Sequence, residues 1–179
     1  GGSEAIVFAM CAVCDAGDEV IVFDSFSTDN TEAIAREHGA KFIQHKFENY
    51  GAQRDAALKA TQADWVFFVD ADERATPELE KEVRAVTASP DVAGWWVPRH
   101  NYIFGKLTLH AGWYPDYQLK LFKKGKGKFV AQKVHEPLVV DGKIEKLLSS
   151  IHHENYQSVN QFLERMISYT DSEAAALIS

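Results

Sequence analysis

Long apolar runs are absent from this 179-residue sequence. None reaches the ~18 residues that a membrane-spanning helix requires, so no spanning helix is expected. Basic residues are in deficit, with 19 Lys and Arg against 26 Asp and Glu. A net charge of -7 and a pI near 5.5 lack the basic footprint of a general nucleic-acid binder. Cysteine is scarce: Cys11 and Cys14 form one C-x-x-C, and without a second pair they cannot complete a four-ligand structural zinc site. Two readings of the pair are left. One is a thioredoxin-like motif, which needs a strand before it and a helix opening at it; the other, favoured, is two small buried hydrophobes in a reducing compartment. No basic n-region precedes the first apolar stretch, so no signal peptide is expected. Repeats, low-complexity tracts and linkers are also lacking, and residues 1–179 read as a single domain.

Against these absences stand 46% hydrophobic residues, enough for a sizeable core. Residues 5–14 are apolar throughout, a pattern shared by buried helices and buried strands. Helix is favoured, because Asp15-Ala16-Gly17-Asp18 then closes it ahead of a strand over residues 19–23. Ser27 or Thr28 is placed to cap a helix that runs to about His38 and stops at Gly39. A short strand over 41–44, a helix over 51–61 and the apolar run Trp65-Val66-Phe67-Phe68-Val69 follow, the last reading as a central parallel strand. Thr76-Pro77-Glu78-Leu79 opens a further helix with a capping hydroxyl, a proline at its first position and acids in its first turn. The β-α-β-α order predicts an α/β fold, doubly wound around a mostly parallel central sheet flanked by helices. After residue 91 the rhythm breaks into an irregular, mixed half with strands near 95–97, 119–122 and 138–140. An amphipathic helix over 158–178 closes the chain, with Phe162, Met166 and Tyr169 at helical spacing.

In such sheets ligands sit outside the carboxyl ends of the strands. Asp24 and the triplet Asp70-Ala71-Asp72 fall there. Paired hard oxygens suit Mg²⁺ or Mn²⁺ bridging nucleotide phosphates, although a D-x-D triplet is also a common turn and cap, and Asp24 also fits a turn or N-cap.

Several ordered segments carry a resemblance. Residues 22–31, V-F-D-S-F-S-T-D-N-T, are similar to the V-D-S-G-S-T-D-x-T segment of family 2 glycosyltransferases. Residues 51–58, G-A-Q-R-D-A-A-L, resemble their G-x-x-R-N-x-A-L helix, and residues 65–74, W-V-F-F-V-D-A-D-E-R, their metal strand. The likeness continues through residues 98–105, 112–122 and 134–136, spans about residues 4–175, and is most similar to the lipopolysaccharide-core glucosyltransferase branch. It implies a GT-A fold with a nucleotide-sugar half (1–90), an acceptor half (91–155) and a C-terminal helix (156–179). It further implies an inverting enzyme that moves a hexose, with UDP-sugars the expected donors, to a glycan or lipopolysaccharide-core acceptor. By residue, Asp24, Arg54 and Asp70 would hold the nucleotide sugar, Asp72 with Asp70 the divalent metal, and Asp116 would be the general base. A turn acid after Pro115 is the plainer reading of Asp116. His135 reads either as a third metal ligand or as a histidine hydrogen-bonded to Glu136. Trp113 and Tyr114 read either as a sugar platform for the acceptor or as core aromatics. The resemblance also implies a cytoplasmic enzyme working at the inner face of the bacterial inner membrane. Lys120, Lys123, Lys124, Lys126 and Lys128 are there either a solvated hairpin or a contact for anionic headgroups.

The sequence departs from the family pattern in places. Phe26 stands for the usual glycine, Asp55 for asparagine and Lys120 for arginine, and the strand that normally opens the family is expected to be missing, because Glu4 falls where its loop ends. A bulky residue resists positive φ, so the turn at Phe26 is expected to differ. Two rival readings accompany the resemblance: a non-catalytic nucleotide-sugar-binding module, and a D-x-D phosphotransferase with Asp70 as nucleophile. A sugar-nucleotide pyrophosphorylase would want a glycine-rich N-terminal loop, which is absent.

Overall fold

The computed structural model describes residues 18–89, 91–130 and 137–178. The helix expected over 5–14, Cys11, Cys14, Glu4, His135 and Glu136 therefore lie outside the described residues.

The first half alternates strand and helix as expected. Strand β1 (Ile21–Asp24), helix α1 (Thr31–Glu37), strand β2 (Lys41–Gln44) and helix α2 (Tyr50–Ala60) follow one another, and β1 pairs with β2 in parallel from Ile21↔Lys41 to Asp24↔Gln44. The start of α1 differs from expectation. Asp29 accepts the Thr31 amide at 3.0 Å and the Ser27 hydroxyl at 3.1 Å and so braces the preceding turn, while the N-cap is Asn30 without a side-chain cap and the helix opens at Thr31. Gly39 ends this unit at φ 76°, a left-handed stop that glycine adopts at least cost. Phe26 takes φ 62° with its side chain exposed, a conformation that costs about 1–2 kcal/mol for a residue with a Cβ.

Strand β3 (Trp65–Phe67) pairs antiparallel with β7, and among the described residues no parallel neighbour joins it. Its other edge faces β1 across an apolar cavity of about 740 Å³ walled by Val22, Phe23, Val66, Phe67 and Val69 among others. Among the described residues no strand joins β1 to β3.

The second half is the mixed sheet. Strands β4 (Glu73–Arg74), β5 (Gly94–Ile103), β6 (Lys106–Leu107), β7 (Asp116–Lys123), β8 (Gly127–Phe129), β9 (Leu138–Val140), β10 (Ile144–Lys146) and β11 (Ile151–Tyr156) join helices α3 (Pro77–Thr87) and α4 (Val159–Ile178). The seven-stranded sheet runs β3-β7-β5-β11-β4, with β10 and β6 also paired to β5; β8 and β9 form a separate ribbon. Helix α3 begins where its sequence says it should: Thr76 Oγ1 accepts the Leu79 amide at 3.2 Å, with Pro77 in the first turn. Its fully buried Leu79 meets Val97, Leu121, Leu147 and Ile151, a burial worth about 1.5–3 kcal/mol. A second cluster gathers Val66, Ala93, Phe122 and Val140. Gly127 is required there, because a Cβ would lie 2.4 Å from the Phe122 ring. Along α4, Phe162 packs edge-on to Tyr156 at 5.0 Å, whereas Met166 is exposed. No helix of the described residues is long and apolar enough to cross a membrane.

Candidate active site

Strand alternation and register build one polar face. Successive side chains point to opposite faces of a strand, so Asp116, Gln118 and Lys120 share one face of β7. Asp116 lies opposite Arg99 of β5; Asn101 of β5 lies beside His153 of β11; His153 lies opposite Glu73 of β4. A row of polar groups thus crosses four strands, on the face of β5 and β11 that carries the core residues Val97 and Ile151 two residues earlier.

Each member of the row is fixed by another. Asp116 Oδ2 accepts from Arg99 Nε at 2.8 Å and Asn101 Nδ2 at 2.9 Å, and Oδ1 accepts from Gln118 Nε2 at 2.6 Å. Burial works against the Asp116 carboxylate, but these bonds and the Arg99 charge hold it below its ordinary range, ionised at neutral pH. The buried Asn101 spends its second N–H on Trp113 O at 3.0 Å. Its Oδ1 is then an acceptor for His153 Nδ1 at 2.6 Å, which places a proton on Nδ1. In neutral His153 the Nε2 lone pair therefore points outward, and that atom lies 3.4 Å from Asp72 Oδ2.

On the other side of Glu73 the row becomes an alternating chain of charges. Lys120 Nζ lies 2.7 Å from Glu73 Oε2 and 2.8 Å from Asp70 Oδ2; Arg54 Nη2 lies 3.4 Å from Asp70 Oδ1. Arg99 Nη1 approaches Glu73 Oε1 at 3.8 Å, an atom that is buried without a hydrogen bond. The order Asp116, Arg99, Glu73, Lys120, Asp70, Arg54 links the two ends of the face. Burial raises the Asp70 carboxyl, but Lys120 and Arg54 outweigh it and bring it down to about 2. Glu73, wholly buried, is pushed above the usual range by burial, with the Asp70 charge adding to it and Lys120 opposing. Burial disfavours the Lys120 ammonium, yet its two carboxylates raise it above its ordinary value. Asp72 is held low against burial, chiefly by hydrogen bonding to His153 and by the charge of that ring, which it carries only when protonated at both nitrogens.

Arg54, Asp70, Asp72, Arg99, Trp113 and His153 line a polar cleft of about 950 Å³, within the size range of ligand sites. The expected residues distribute unevenly around it. Arg54, Asp70, Asp72 and Trp113 come together in the cleft. Asp24 lines the neighbouring apolar cavity, which meets the cleft at Asp70 and Ala71, and its Oδ2 accepts the Ser27 amide at 2.9 Å, the turn role weighed for it above. Asp116 sits behind Arg99, with a side chain 16% exposed. Tyr114 does not line the cleft but packs at a tilt on His100 at 5.8 Å. The lysine run is divided: Lys120 is buried in the site, Lys123 stands over the Trp65 ring at 5.4 Å, and Lys124, Lys126 and Lys128 remain exposed.

The sequence reading missed His153, Glu73, Arg99 and Asn101. The signal available was polar residues inside strands, His152-His153-Glu154-Asn155 after buried Ile151 and Arg99-His100-Asn101 after Val97. Among the described residues no group of three or more His, Cys, Asp or Glu is arranged to hold a metal ion. Asp72 and His153 form a pair, one carboxylate oxygen and one imidazole nitrogen. That donor set fits a divalent cation that draws its remaining ligands from phosphate and water.

The chain is similar to known proteins in sequence and in fold. Residues 4–136 match the profile of Glycosyl transferase family 2. The lipopolysaccharide core biosynthesis glycosyltransferase LpsC of Rhizobium meliloti (strain 1021) is 34% identical over 135 residues, covering 70% of this chain and 49% of that protein. The uncharacterized glycosyltransferase RC0292 of Rickettsia conorii is 28% identical over 98% of this chain and 67% of its own length. The chain thus spans about half to two thirds of these relatives. Glucosyl-3-phosphoglycerate synthase from Mycobacterium tuberculosis, solved with Mn²⁺, UDP-glucose and glycerol 3-phosphate, superposes with a TM-score of 0.63 at 17% identity over 99% of this chain and 76% of that one. Staphylococcus aureus TarS 1–349 gives 0.60 at 16% over 96% and 62%. The fold is the α/β fold of GT-A glycosyltransferases, and the chain belongs to glycosyl transferase family 2.

Proposed function

We propose that this chain carries the catalytic site of an inverting glycosyltransferase, which moves a hexose from a UDP-sugar to a glycan or lipopolysaccharide-core acceptor by single displacement. The observation that carries the reading is the meeting of Asp72 and His153 Nε2 at 3.4 Å on a cleft that also holds Asp70 and Arg54. Asp72 and His153 would hold a divalent cation, Mg²⁺ or Mn²⁺, with Asp70 close by. When bound, it neutralises charge on the departing diphosphate. His153 is a second candidate beside His135, which lies outside the described residues, and Asn101 fixes the tautomer of His153. Asp70, tied by Lys120 and Arg54, positions the donor, with Asp24 toward the nucleoside. Asp116 keeps one Oδ1 lone pair outside its three protein bonds, and there it would take the acceptor hydroxyl's proton. Trp113 offers a ring face to the acceptor sugar, a role that Tyr114 does not share from its place on His100.

Both Asp70 oxygens are engaged by cations, which quenches the nucleophile that a phosphotransferase would need, and family membership speaks against that rival. Peripheral contact with anionic membrane, proposed for the Lys120–Lys128 run, rests on Lys124, Lys126 and Lys128 alone. The test of the main reading is release of UDP from UDP-sugars by the full-length protein with Mn²⁺ and acceptor. The expected result is release that stops when the metal is chelated. Nucleotide-sugar binding without any release across UDP- and GDP-sugars would favour the non-catalytic module.

A further inference from the structure

The cleft has one arginine more than its neighbours require. Arg54 is matched by Asp70, Arg74 by Glu154 at 3.2 Å, and Arg99 by Asp116. Arg165 of α4 lines the same cleft, yet among the described residues no carboxylate pairs with it. Its guanidinium rests 5.8 Å from the Tyr156 ring centroid, and Nη1 makes one long bond to Asn155 O at 3.5 Å. Most of its five N–H donors are therefore unspent. Gln161, one turn earlier on α4, also lines the cleft. Its Oε1 accepts the Gln157 amide at 2.7 Å, which leaves its Nε2 donors for another partner.

Arg165 stands against Tyr156, whose ring in turn meets Trp113, the proposed acceptor platform, so its charge is placed beside the second substrate. A planar guanidinium fork matches phosphate and carboxylate oxygens in bidentate geometry. We infer that Arg165, assisted by Gln161, binds an oxyanion group of the acceptor, so that the acceptor is an acidic sugar or glycan carrying a phosphate or a carboxylate. The inference rests on the glycosyltransferase reading above and adds the acceptor's charge to it. Tyr156 is the supporting surface: its ring faces Arg165 on one side and Trp113 edge-on at 6.2 Å, which connects the anion subsite to the proposed sugar platform.

The test titrates the Mn²⁺·UDP complex of the full-length protein with mannose 6-phosphate and with glucuronate, against mannose and glucose as neutral controls. At least one charged sugar is expected to bind about ten-fold or more tightly than its neutral control, the scale of a charge-assisted hydrogen bond, and the arm that responds distinguishes phosphate from carboxylate. Arg165→Gln should bring the charged sugar down to the neutral one while Mn²⁺·UDP affinity stays within about two-fold. Arg165→Lys, which keeps the charge but loses the fork, should fall between parent and Arg165→Gln. A parent that binds charged and neutral sugars alike, or an Arg165→Gln protein that still prefers the charged sugar, overturns the acceptor subsite alone. A parent that does not bind Mn²⁺·UDP overturns the glycosyltransferase reading and the subsite with it.

Discussion

Asp116→Asn is expected to bind Mn²⁺·UDP as the parent does and to transfer sugar about 10²–10⁴-fold more slowly, the contribution of a positioned general base. Asp116 Oδ2 is filled by Arg99 and Asn101, and Oδ1 holds Gln118, so one acceptor position is open. An amide of the same shape can keep much of this framework, and Arg99 retains Glu73 at 3.8 Å, but it has no basic oxygen for the hydroxyl proton. Because the Asp116 carboxyl is held below its ordinary range, the acid limb of the parent's kcat/KM profile should lie below the usual carboxylate range. Single-turnover transfer measured beside UDP titration separates the two effects. Transfer at the parent rate would remove Asp116 as the base and leave it as the anchor of Arg99.

Lys120→Met is the second large effect, and it falls on stability. Lys120 is 5% exposed and bridges Asp70 to Glu73, which is fully buried. Removing the ammonium leaves two carboxylates facing each other, one without access to water, and breaking such a pair costs about 3–5 kcal/mol. Denaturant unfolding near pH 7 should show that loss, and Lys120→Arg, which restores the charge, should recover most of it. The pH dependence has a defined sign. The parent's Asp70 carboxyl is lowered from 3.8 to about 2, so its stabilising contribution is complete above pH 3.8 and is lost as pH falls toward 2. Without Lys120 that loss should begin at higher pH, and the acid midpoint of unfolding should move up. An unchanged midpoint and an unchanged stability near pH 7 would mean that the bridge contributes nothing net.

These two residues also show how far the sequence could be read. Asp116 was legible because it belongs to a long ordered segment, G-W-Y-P-D-Y-Q-L-K-L-F, and Asp70 and Asp72 because they end an apolar strand. The helices were legible where local chemistry dominates, as at Thr76-Pro77 and Gly39. Lys120 was misjudged because it sits in a run of surface lysines, and only the pairing of β7 between β3 and β5 buries it. His153 was hidden for a similar reason. Nothing local separates it from His152, and its role follows from a register that sets it between Asn101 and Glu73. The antiparallel partner of Trp65–Phe67 was equally non-local, since a fully apolar run looks the same in either orientation. Phe26 shows the converse: a steric rule read correctly, in a turn whose Asp24 and Ser27 bonds hold the residue at positive φ regardless.

Asp72 and His153 as the metal–nucleotide pair are tested most directly by calorimetric titration of UDP into the full-length protein with and without Mn²⁺. Binding should require Mn²⁺ in the parent, should be lost in Asp72→Ala, and should weaken by about ten-fold or more in His153→Ala, as loss of a ligand does. UDP binding that is indifferent to Mn²⁺, or Asp72→Ala and His153→Ala proteins that bind Mn²⁺·UDP like the parent, would contradict it.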